Sequence, residues 1–232
     1  MSIYILAFLF GSTVASFLNV VAKSLPINQN WWFRRSACPY CQTILKPIQL
    51  IPIISYLFQK GRCKSCLTKI SPLYLLVEIA GGFLFALPLI FLPNSPAKLL
   101  QTWIFFSLLL TVTLTDLHHQ LIPNKILIAF GITRLFTQPS IATAIISFLF
   151  FYGASLLGKL LFKKETIGGG DIKLYFVIGL VLPIQPLLTS ITISSAIALI
   201  YILLFTKDKN QPIPFAPFIA LGTIIAYMTS MR

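Results

Sequence analysis

Hydrophobic residues are arranged along this chain in eight long runs separated by polar segments. A straight helix needs about 20 apolar residues to cross the ~30 Å hydrocarbon core of a bilayer, and most of the runs approach that length. We therefore predict an all-α polytopic membrane protein with about eight transmembrane helices. The runs cover residues 3–22, 73–93, 97–115, 125–138, 141–160, 172–187, 189–205 and 213–230.

Two runs, 125–138 and 172–187, are shorter than a straight membrane span requires. We expect these two to be buried among the other helices or to thin the membrane locally. The only long polar stretch lies between the first and second runs. The predicted organisation is a first transmembrane helix over residues 1–22, a cytoplasmic four-cysteine domain over 23–72 and a transmembrane core over 73–232.

Composition and charge agree with a multi-pass protein of the cell membrane. Of the 232 residues 57% are hydrophobic and 10% are charged, which excludes an ordinary soluble globule. The net charge of +13 does not indicate nucleic-acid binding, because the Lys and Arg residues lie between the apolar runs. With the N-terminus outside, 15 of the 18 Lys and Arg residues fall on the cytoplasmic side, as expected for such proteins.

The polar domain contains four cysteines, arranged as two CxxC pairs separated by 21 residues. Each pair can turn two thiolates toward one tetrahedral Zn²⁺ ion, and four thiolates form a closed structural site. We predict a structural zinc ion that helps to fold this small domain. A pair of disulfides, or four reduced thiols, are the alternatives, although a cytosolic location disfavours disulfides. The cysteines are Cys38, Cys41, Cys63 and Cys66.

Acidic residues are rare, and two of the five stand at the ends of apolar runs. Asp116 ends the third run, and Asp171 follows three glycines at the start of the sixth. Carboxylates at membrane depth are costly and are usually functional. On the predicted topology both aspartates lie at the cytoplasmic face. The five acidic residues are Glu78, Asp116, Glu165, Asp171 and Asp208.

The glycines Gly168, Gly169 and Gly170 disfavour a continuous helix before Asp171. They also permit positive φ values and a close backbone approach, so that a substrate strand could reach the carboxylate. Two carboxylates in a poorly hydrated site share one proton. Such a pair suits peptide hydrolysis, because the ionised member can take a proton from water while the protonated member polarises the scissile carbonyl.

Two other interpretations of the aspartates stay open. Each carboxylate could cap a helix or pair with a nearby cation: Asp171 with Lys173 or Lys164, and Asp116 with His118, His119 or Lys125. The pair could instead carry protons or cations in a membrane transporter. A position at one face rather than at mid-depth argues against the transporter. We assign no role to the two histidines, and we interpret Glu78 as a buried hydrogen-bonding or snorkelling residue.

Seven motifs, spread over nearly the whole chain, carry a family resemblance. They are Gly11-Ser12 with Ala15-Ser16-Phe17-Leu18-Asn19-Val20-Val21; Arg35-Ser36-Ala37-Cys38-Pro39-Tyr40-Cys41; Ile51-Pro52 with Ser55-Tyr56-Leu57; Gly61-Arg62-Cys63-Lys64-Ser65-Cys66; Asp116 with Ile122-Pro123-Asn124; Gly168-Gly169-Gly170-Asp171-Ile172-Lys173-Leu174; and Pro214-Phe215-Ala216-Pro217-Phe218. In order and spacing, these motifs resemble those of the type IV prepilin peptidase family, also called leader peptidase and N-methyltransferase.

The resemblance implies an intramembrane aspartic endopeptidase of the GxGD type. Asp116 and Asp171 would be its catalytic pair, with Gly168, Gly169, Gly170 and Lys173 supporting the active-site loop. Its substrates would be type IV prepilin or pseudopilin precursors, cut after Gly and before a hydrophobic residue, commonly Phe. Many members then methylate the new N-terminus with S-adenosylmethionine. The length is similar to that of the Gram-positive competence branch, so the expected roles are pilus or pseudopilus assembly, secretion or competence.

Three positions depart from the family pattern as it is usually written. Ser24 stands where an Arg often precedes Leu-Pro, Leu73-Tyr74-Leu75 replaces Arg-Tyr-Pro, and Ala216 stands where Gly is common. The first two flank the cysteine domain and bear on methyl transfer rather than on the aspartates. A glycine-rich nucleotide-binding loop after a predicted strand is not visible in the sequence, so the site of the methyl donor stays unassigned.

Overall fold

The structure is a computed structural model, and it describes residues 2–27, 35–92, 95–135, 137, 139–163, 167–205 and 213–231. Glu165, Asp208 and Lys164 lie outside these ranges. Within them the regular structure is helical, apart from two isolated β-bridges in the cysteine domain. Two compact units follow each other along the chain, Met1–Thr111 and Val112–Arg232.

The described residues form ten α-helices, numbered here in chain order. The first unit contains α1 (Ser2–Ser24), α2 (Ile54–Phe58), α3 (Leu73–Ala86), α4 (Pro88–Phe91) and the first part of α5 (Pro96–His119). The second contains the end of α5 followed by α6 (Asn124–Leu135), α7 (Ile141–Phe162), α8 (Gly169–Gly179), α9 (Ile184–Phe205) and α10 (Ala216–Thr229). A 3-10 turn over Pro47–Leu50 precedes α2.

Five helical segments in the described part of the chain are long and apolar enough to cross a membrane. They are α1, α3 together with α4, α5, α7 and α9, and each corresponds to a predicted run. The other three runs form α6, α8 and α10, which have 12, 11 and 14 residues and rise about 16–21 Å. The all-α membrane architecture is therefore confirmed, and the count of eight spans stays a prediction.

The sixth predicted run, 172–187, is divided in the structure. α8 ends at Gly179, and α9 begins at Ile184 rather than at residue 189. Pro183 explains the division, because it has no N–H group with which to continue α8. Its carbonyl instead accepts a hydrogen bond of 3.0 Å from the Leu187 N–H at the start of α9. The boundary was missed because the turn residues are themselves apolar: Leu180, Val181 and Leu182.

Small residues allow α1 and α3 to pack closely in the first unit. A Cβ atom added to Gly82 would lie 2.5 Å from Cε2 of Phe8, and Gly11 and Gly81 leave equally little space. Such close backbone approach is the usual basis of helix association in membranes. Trp103 of α5 adds a hydrogen bond of 2.9 Å from its ring N–H to the carbonyl of Phe85.

α8 is buried among its neighbours in the second unit, as its short length predicts. Leu174 and Ile178 are fully buried, and Tyr175 is 2% exposed. The Tyr175 hydroxyl shares a hydrogen bond of 2.8 Å with Ser194 of α9, and the Ser147 hydroxyl of α7 donates to the Tyr175 carbonyl at 3.0 Å. Contacts on two sides therefore fix α8, which carries Asp171 in its first turn.

Candidate active site and metal centre

Asp116 lies in the last turn of α5 and is 7% exposed. The helix ends just after it, because Gln120 adopts a left-handed φ of 52° and donates its N–H to the Asp116 carbonyl at 2.9 Å. Pro123 follows, and α6 begins at Asn124. The carboxylate therefore stands at the end of a helix, as the sequence predicts.

The Asp116 carboxylate is held by the start of α10. Its Oδ2 atom accepts a buried hydrogen bond of 2.9 Å from the N–H of Ala216, and the backbone N–H of Phe215 also bonds to it. The first N–H groups of a helix have no partner within the helix and carry partial positive charge. In the sequence Phe215 and Ala216 carry only the family resemblance, and their contact with Asp116 was not predicted. The turn-forming prolines on either side, Pro214 and Pro217, were the available signal for a helix start.

Asp171 lies close to the backbone of Gly168, which caps α8. The Asp171 N–H donates to the Gly168 carbonyl at 3.0 Å. A Cβ atom on Gly168 would lie 3.1 Å from Oδ2 of Asp171, and one on Gly170 would lie 3.1 Å from Cβ of Ile122. The missing side chains therefore let the start of α8 pack against the loop that follows Asp116.

The three glycines do not use the positive φ values that they permit. Gly168 has a φ of −63°, and the positive-φ glycine among the described residues is Gly61. Gly169 and Gly170 form the first turn of α8 instead, because a helix start needs no positive φ. Gly169 leaves open space, since no described residue lies within 4 Å of a Cβ atom added there, whereas Gly170 allows the close contact with Ile122.

Asp116 and Asp171 are 55 positions apart in the sequence, but the start of α8, which carries Asp171, packs against Ile122 in the loop that follows Asp116. The Asp116 carboxylate is close enough to act electrostatically on Asp171. Lys173, the alternative partner of Asp171, donates its ammonium to Oδ1 of Asn124 at 3.1 Å. This bond ties α8 to the start of α6. The result is a pair of carboxylates beside the three consecutive glycines.

The four cysteines form a separate cluster in the first unit. Their Sγ atoms all lie within 4.8 Å of one another, and the Cys38–Cys66 and Cys41–Cys63 pairs are each 3.9 Å apart. A tetrahedral zinc site with Zn–S bonds of ~2.3 Å has sulfur–sulfur edges of about 3.8 Å. All four thiols are free, so the disulfide alternative is wrong. The donor set and its spacing fit one zinc ion.

The two CxxC segments have the same backbone structure, a repeat that the sequence analysis missed. The N–H groups of Cys38 and Cys63 donate to the carbonyls of Thr43 and Thr68, both at 3.0 Å. The residue before each threonine is left-handed, with φ of 56° at Gln42 and 58° at Leu67. The signal was a threonine two residues after the second cysteine of each pair.

The two threonines also lie within hydrogen-bond distance of cysteine sulfur atoms. The Thr43 hydroxyl lies 3.3 Å from Sγ of Cys41, and the Thr68 hydroxyl lies 3.0 Å from Sγ of Cys66. Hydrogen bonds from the side chain and the backbone of Thr43 lower the pKa of the Cys41 thiol to about 6. A thiol that ionises readily is a ready metal ligand, because the thiolate is the ligating form.

Comparison with known families identifies the class of protein. A model described as the bacterial peptidase A24 N-terminal domain matches residues 9–92, and one described as the type IV leader peptidase family matches residues 103–203. The chain belongs to the type IV leader peptidase family. The predicted enzyme class is thereby confirmed, and nothing in the comparisons supports the transporter.

Curated relatives of this family align with nearly the whole chain. A prepilin leader peptidase/N-methyltransferase of Bacillus subtilis is 40% identical, covering 95% of this chain and 92% of the relative. A type 4 prepilin-like proteins leader peptide-processing enzyme of Escherichia coli is 31% identical, with coverage of 95% and 91%. A prepilin leader peptidase/N-methyltransferase of Pseudomonas aeruginosa is also 31% identical, with coverage of 95% and 88%. No solved structure matches the chain.

Proposed function

We propose that this chain is an intramembrane aspartic endopeptidase that removes the basic leader from type IV prepilin-like precursors at the cytoplasmic membrane face. The observation that carries the proposal is that Asp116 lies within electrostatic range of Asp171, whose carboxylate lies beside Gly168 at the start of α8. The printed names of the relatives supply the substrate class. Specific precursors would come from pilus or pseudopilus assembly, secretion or competence.

The hydrogen bonds suggest how the two carboxylates divide the chemistry. Asp116 accepts N–H groups from Ala216 and Phe215, and such donors favour the ionised form. Asp116 is therefore the general base, which takes a proton from the attacking water. Asp171 carries the shared proton, polarises the scissile carbonyl and passes a proton to the leaving amine. The water oxygen adds to the carbonyl carbon to give a tetrahedral gem-diol, and the C–N bond breaks when this species collapses and the protonated amine leaves, without a covalent enzyme intermediate.

Space beside Gly169 supports binding of an extended precursor. A Cβ atom at this position would meet no group of the described residues within 4 Å, so the substrate backbone has room to lie alongside the start of α8. Cleavage after Gly fits this arrangement, because a precursor segment without a side chain can approach closely. The hydrophobic residue that follows the cleavage site would enter the apolar surroundings of the helices.

Further assignments rest on the family and on the cysteine cluster. Methylation of the new N-terminus with S-adenosylmethionine is proposed because relatives at 31–40% identity are named N-methyltransferases. A structural Zn²⁺ ion is proposed at Cys38, Cys41, Cys63 and Cys66, whose spacing suits it. The orientation, with the N-terminus outside and the cysteine domain inside, is supported by the charge distribution.

Co-expression with a pilin-like precursor tests the peptidase. The wild-type chain is expected to yield a shortened product, whereas Asp116→Asn and Asp171→Asn abolish it. Asp208→Asn, a change of the same kind outside the described residues, serves as the matched control and is expected to cleave normally. Normal cleavage by either of the first two variants would contradict the catalytic assignment. Mass spectrometry of the product's first residue tests methylation separately, through the added mass of one methyl group.

A thiol-labelling experiment tests the orientation. On the proposed topology a cysteine introduced at Lys98 reacts with a membrane-impermeant reagent in intact cells. A cysteine at Leu121, which is 58% exposed and follows α5, reacts only after the membrane is opened. The opposite pattern would invert the topology and remove the active site from the cytoplasmic face.

A further inference from the structure

One face of the short helix α2 is apolar and exposed. Ile54, Leu57 and Phe58 stand three and four residues apart, so they share one side of this helix. Their side chains are 45%, 60% and 82% exposed. Apolar patches that are rimmed by polar residues mark surfaces that bind a membrane or another protein. A partner that covers this face would be stabilised by the removal of apolar surface from water.

Cationic side chains stand next to this face. An open depression of about 460 Å³ brings Phe58 together with Leu67 and with three exposed cations, Lys60, Arg62 and Lys64. The whole cysteine domain, residues 23–72, has eight Lys and Arg residues and no Asp or Glu. We use the name α2 surface for Ile54, Leu57, Phe58, Lys60, Arg62 and Lys64. This surface combines apolar groups with a positive charge that no acidic residue of the domain compensates.

The residue before α2 is tied to the membrane helices of the first unit. The Ile53 N–H donates a hydrogen bond of 2.7 Å to Oε2 of the buried Glu78 on α3. The Ser16 hydroxyl of α1 donates to Oε1 of the same carboxylate at 2.9 Å. Glu78 stands five positions after Leu73, the first residue of α3, which corresponds to about 8 Å of helix rise.

The position of Glu78 along α3 indicates the depth of α2. The helical segment Leu73–Phe91 rises about 28 Å, close to the ~30 Å of bilayer hydrocarbon. Side chains lean toward the start of their helix, so the Glu78 carboxylate lies near the boundary between the hydrocarbon and the headgroups. α2 begins at Ile54, directly after the residue that bonds to this carboxylate. It therefore lies at the depth where amphipathic helices bind membranes.

A strained turn at Ile53 fixes the direction in which α2 leaves Glu78. Ile53 has φ 63° and ψ −56°, and the Ile54 N–H donates to the Pro52 carbonyl at 2.6 Å. This is a γ-turn of the rare kind, and a β-branched residue is a genuine outlier there. Strain of this type persists mainly where function requires it. The turn therefore indicates that the placement of α2 matters for more than packing.

We infer that the α2 surface binds the anionic phospholipid surface of the membrane that the chain spans. The apolar face enters the boundary between headgroups and acyl chains, and the three cations bind lipid phosphates. Protein partners are disfavoured by charge, because a second copy of the α2 surface, or the basic leader of a precursor, would bring like charges together. The inference does not depend on the proposed catalytic function. Its consequence is a cysteine domain held against the bilayer.

Photo-cross-linking of the full-length chain tests the lipid contact. The chain carries p-benzoylphenylalanine in place of Phe58, a conservative change at an exposed ring, and is placed in nanodiscs of phosphatidylcholine or of equal parts phosphatidylcholine and phosphatidylglycerol. Mass spectrometry is expected to show a phospholipid adduct, with a yield at least threefold higher in the anionic nanodiscs. Lys60→Gln combined with Lys64→Gln should remove this gain. Lys98→Gln combined with Lys159→Gln neutralises two lysines outside the domain and should keep it.

A second pair of variants tests the apolar face. Leu57→Ser removes an apolar group of the α2 surface and is expected to lower the adduct yield at least threefold. Ile44→Ser makes the same kind of change elsewhere in the cysteine domain and should leave the yield unchanged. The two side chains are 60% and 55% exposed, so neither change removes much packing.

Four outcomes would overturn the inference. They are the absence of any adduct at position 58, equal yields in the two kinds of nanodisc, an adduct with a second copy of the chain, and an adduct with a precursor added to a parallel sample. The last two would assign the α2 surface to a protein partner. Precursor cleavage by the same preparations is measured separately, because loss of the lipid contact and loss of the peptidase are independent results.

Discussion

Oδ2 of Asp116 accepts a buried hydrogen bond of 2.9 Å from the backbone N–H of Ala216, 100 residues further along the chain. The bond joins the end of α5 to the start of α10. It places an aspartate of the proposed pair against the positive end of a helix, where a carboxylate is stabilised. The position of Asp116, the proposed general base, therefore depends on the start of α10, a segment that contributes no acidic or basic side chain.

The first prediction concerns the size of the side chain at Ala216. This residue is fully buried, so Ala216→Val has no space and must shift the N–H donor away from Asp116. Displacing a reacting group by about 1 Å can cost about 100-fold in rate, and we expect at least a tenfold loss of precursor cleavage. Ala216→Gly keeps the donor and should retain most of the activity. Equal activity of the two variants would show that the bond does not matter for cleavage.

The second prediction separates the roles of two adjacent glycines. Gly168→Ala places a Cβ atom 3.1 Å from Oδ2 of Asp171, which must move, so we expect at least a tenfold loss of cleavage. Gly169→Ala adds a Cβ atom that meets no described residue within 4 Å and so leaves Asp171 in place; we expect a smaller loss there, caused only by crowding of the substrate, and the helix gains up to about 1 kcal/mol. Cleavage rates of detergent-purified variants measure the difference. An equal loss of cleavage in both variants would mean that the glycines are needed to leave room for the substrate rather than for Asp171.

The third prediction concerns zinc. The intact chain should contain a single zinc ion by elemental analysis, and Cys63→Ser should lose it, because three thiolates bind the ion far more weakly than four. Folding of small zinc domains depends on roughly 10–16 kcal/mol of binding energy, so the cysteine domain should become sensitive to protease. Lys64→Ala changes an exposed neighbour of the same segment and should keep the metal. Full zinc occupancy in Cys63→Ser would contradict the four-thiolate site.

The fourth prediction uses the left-handed backbone of the second CxxC segment. Leu67 has a φ of 58° and is 67% exposed, so glycine relieves the backbone there without loss of buried area. We expect Leu67→Gly to stabilise the domain by about 0.5–1 kcal/mol, seen as a higher midpoint temperature of zinc release from the intact chain. Leu67→Ala keeps a Cβ atom and should give no such gain. A lower midpoint for Leu67→Gly would show that the Leu67 side chain is needed for packing.

Local sequence patterns were sufficient to predict the class of the protein and to identify its candidate site residues. Apolar runs predict helices wherever they are bounded by polar residues, which is why α1, α5 and α7 were found. Apolar runs do not reveal the boundary at Pro183, because apolar residues continue through the turn there. The CxxC spacing predicted the thiol cluster because both members of each pair lie within one turn of backbone.

The sequence by itself determined a helical membrane chain, four clustered thiols and two acids at helix ends, since composition and short-range spacing carry that information. Tertiary structure alone decided that the Ala216 N–H donates to Asp116, that Gly170 packs on Ile122 and that the Ile53 N–H donates to Glu78. These contacts join residues 25 to 100 positions apart. Their geometry depends on how complete helices pack, and no local period of the sequence records that packing.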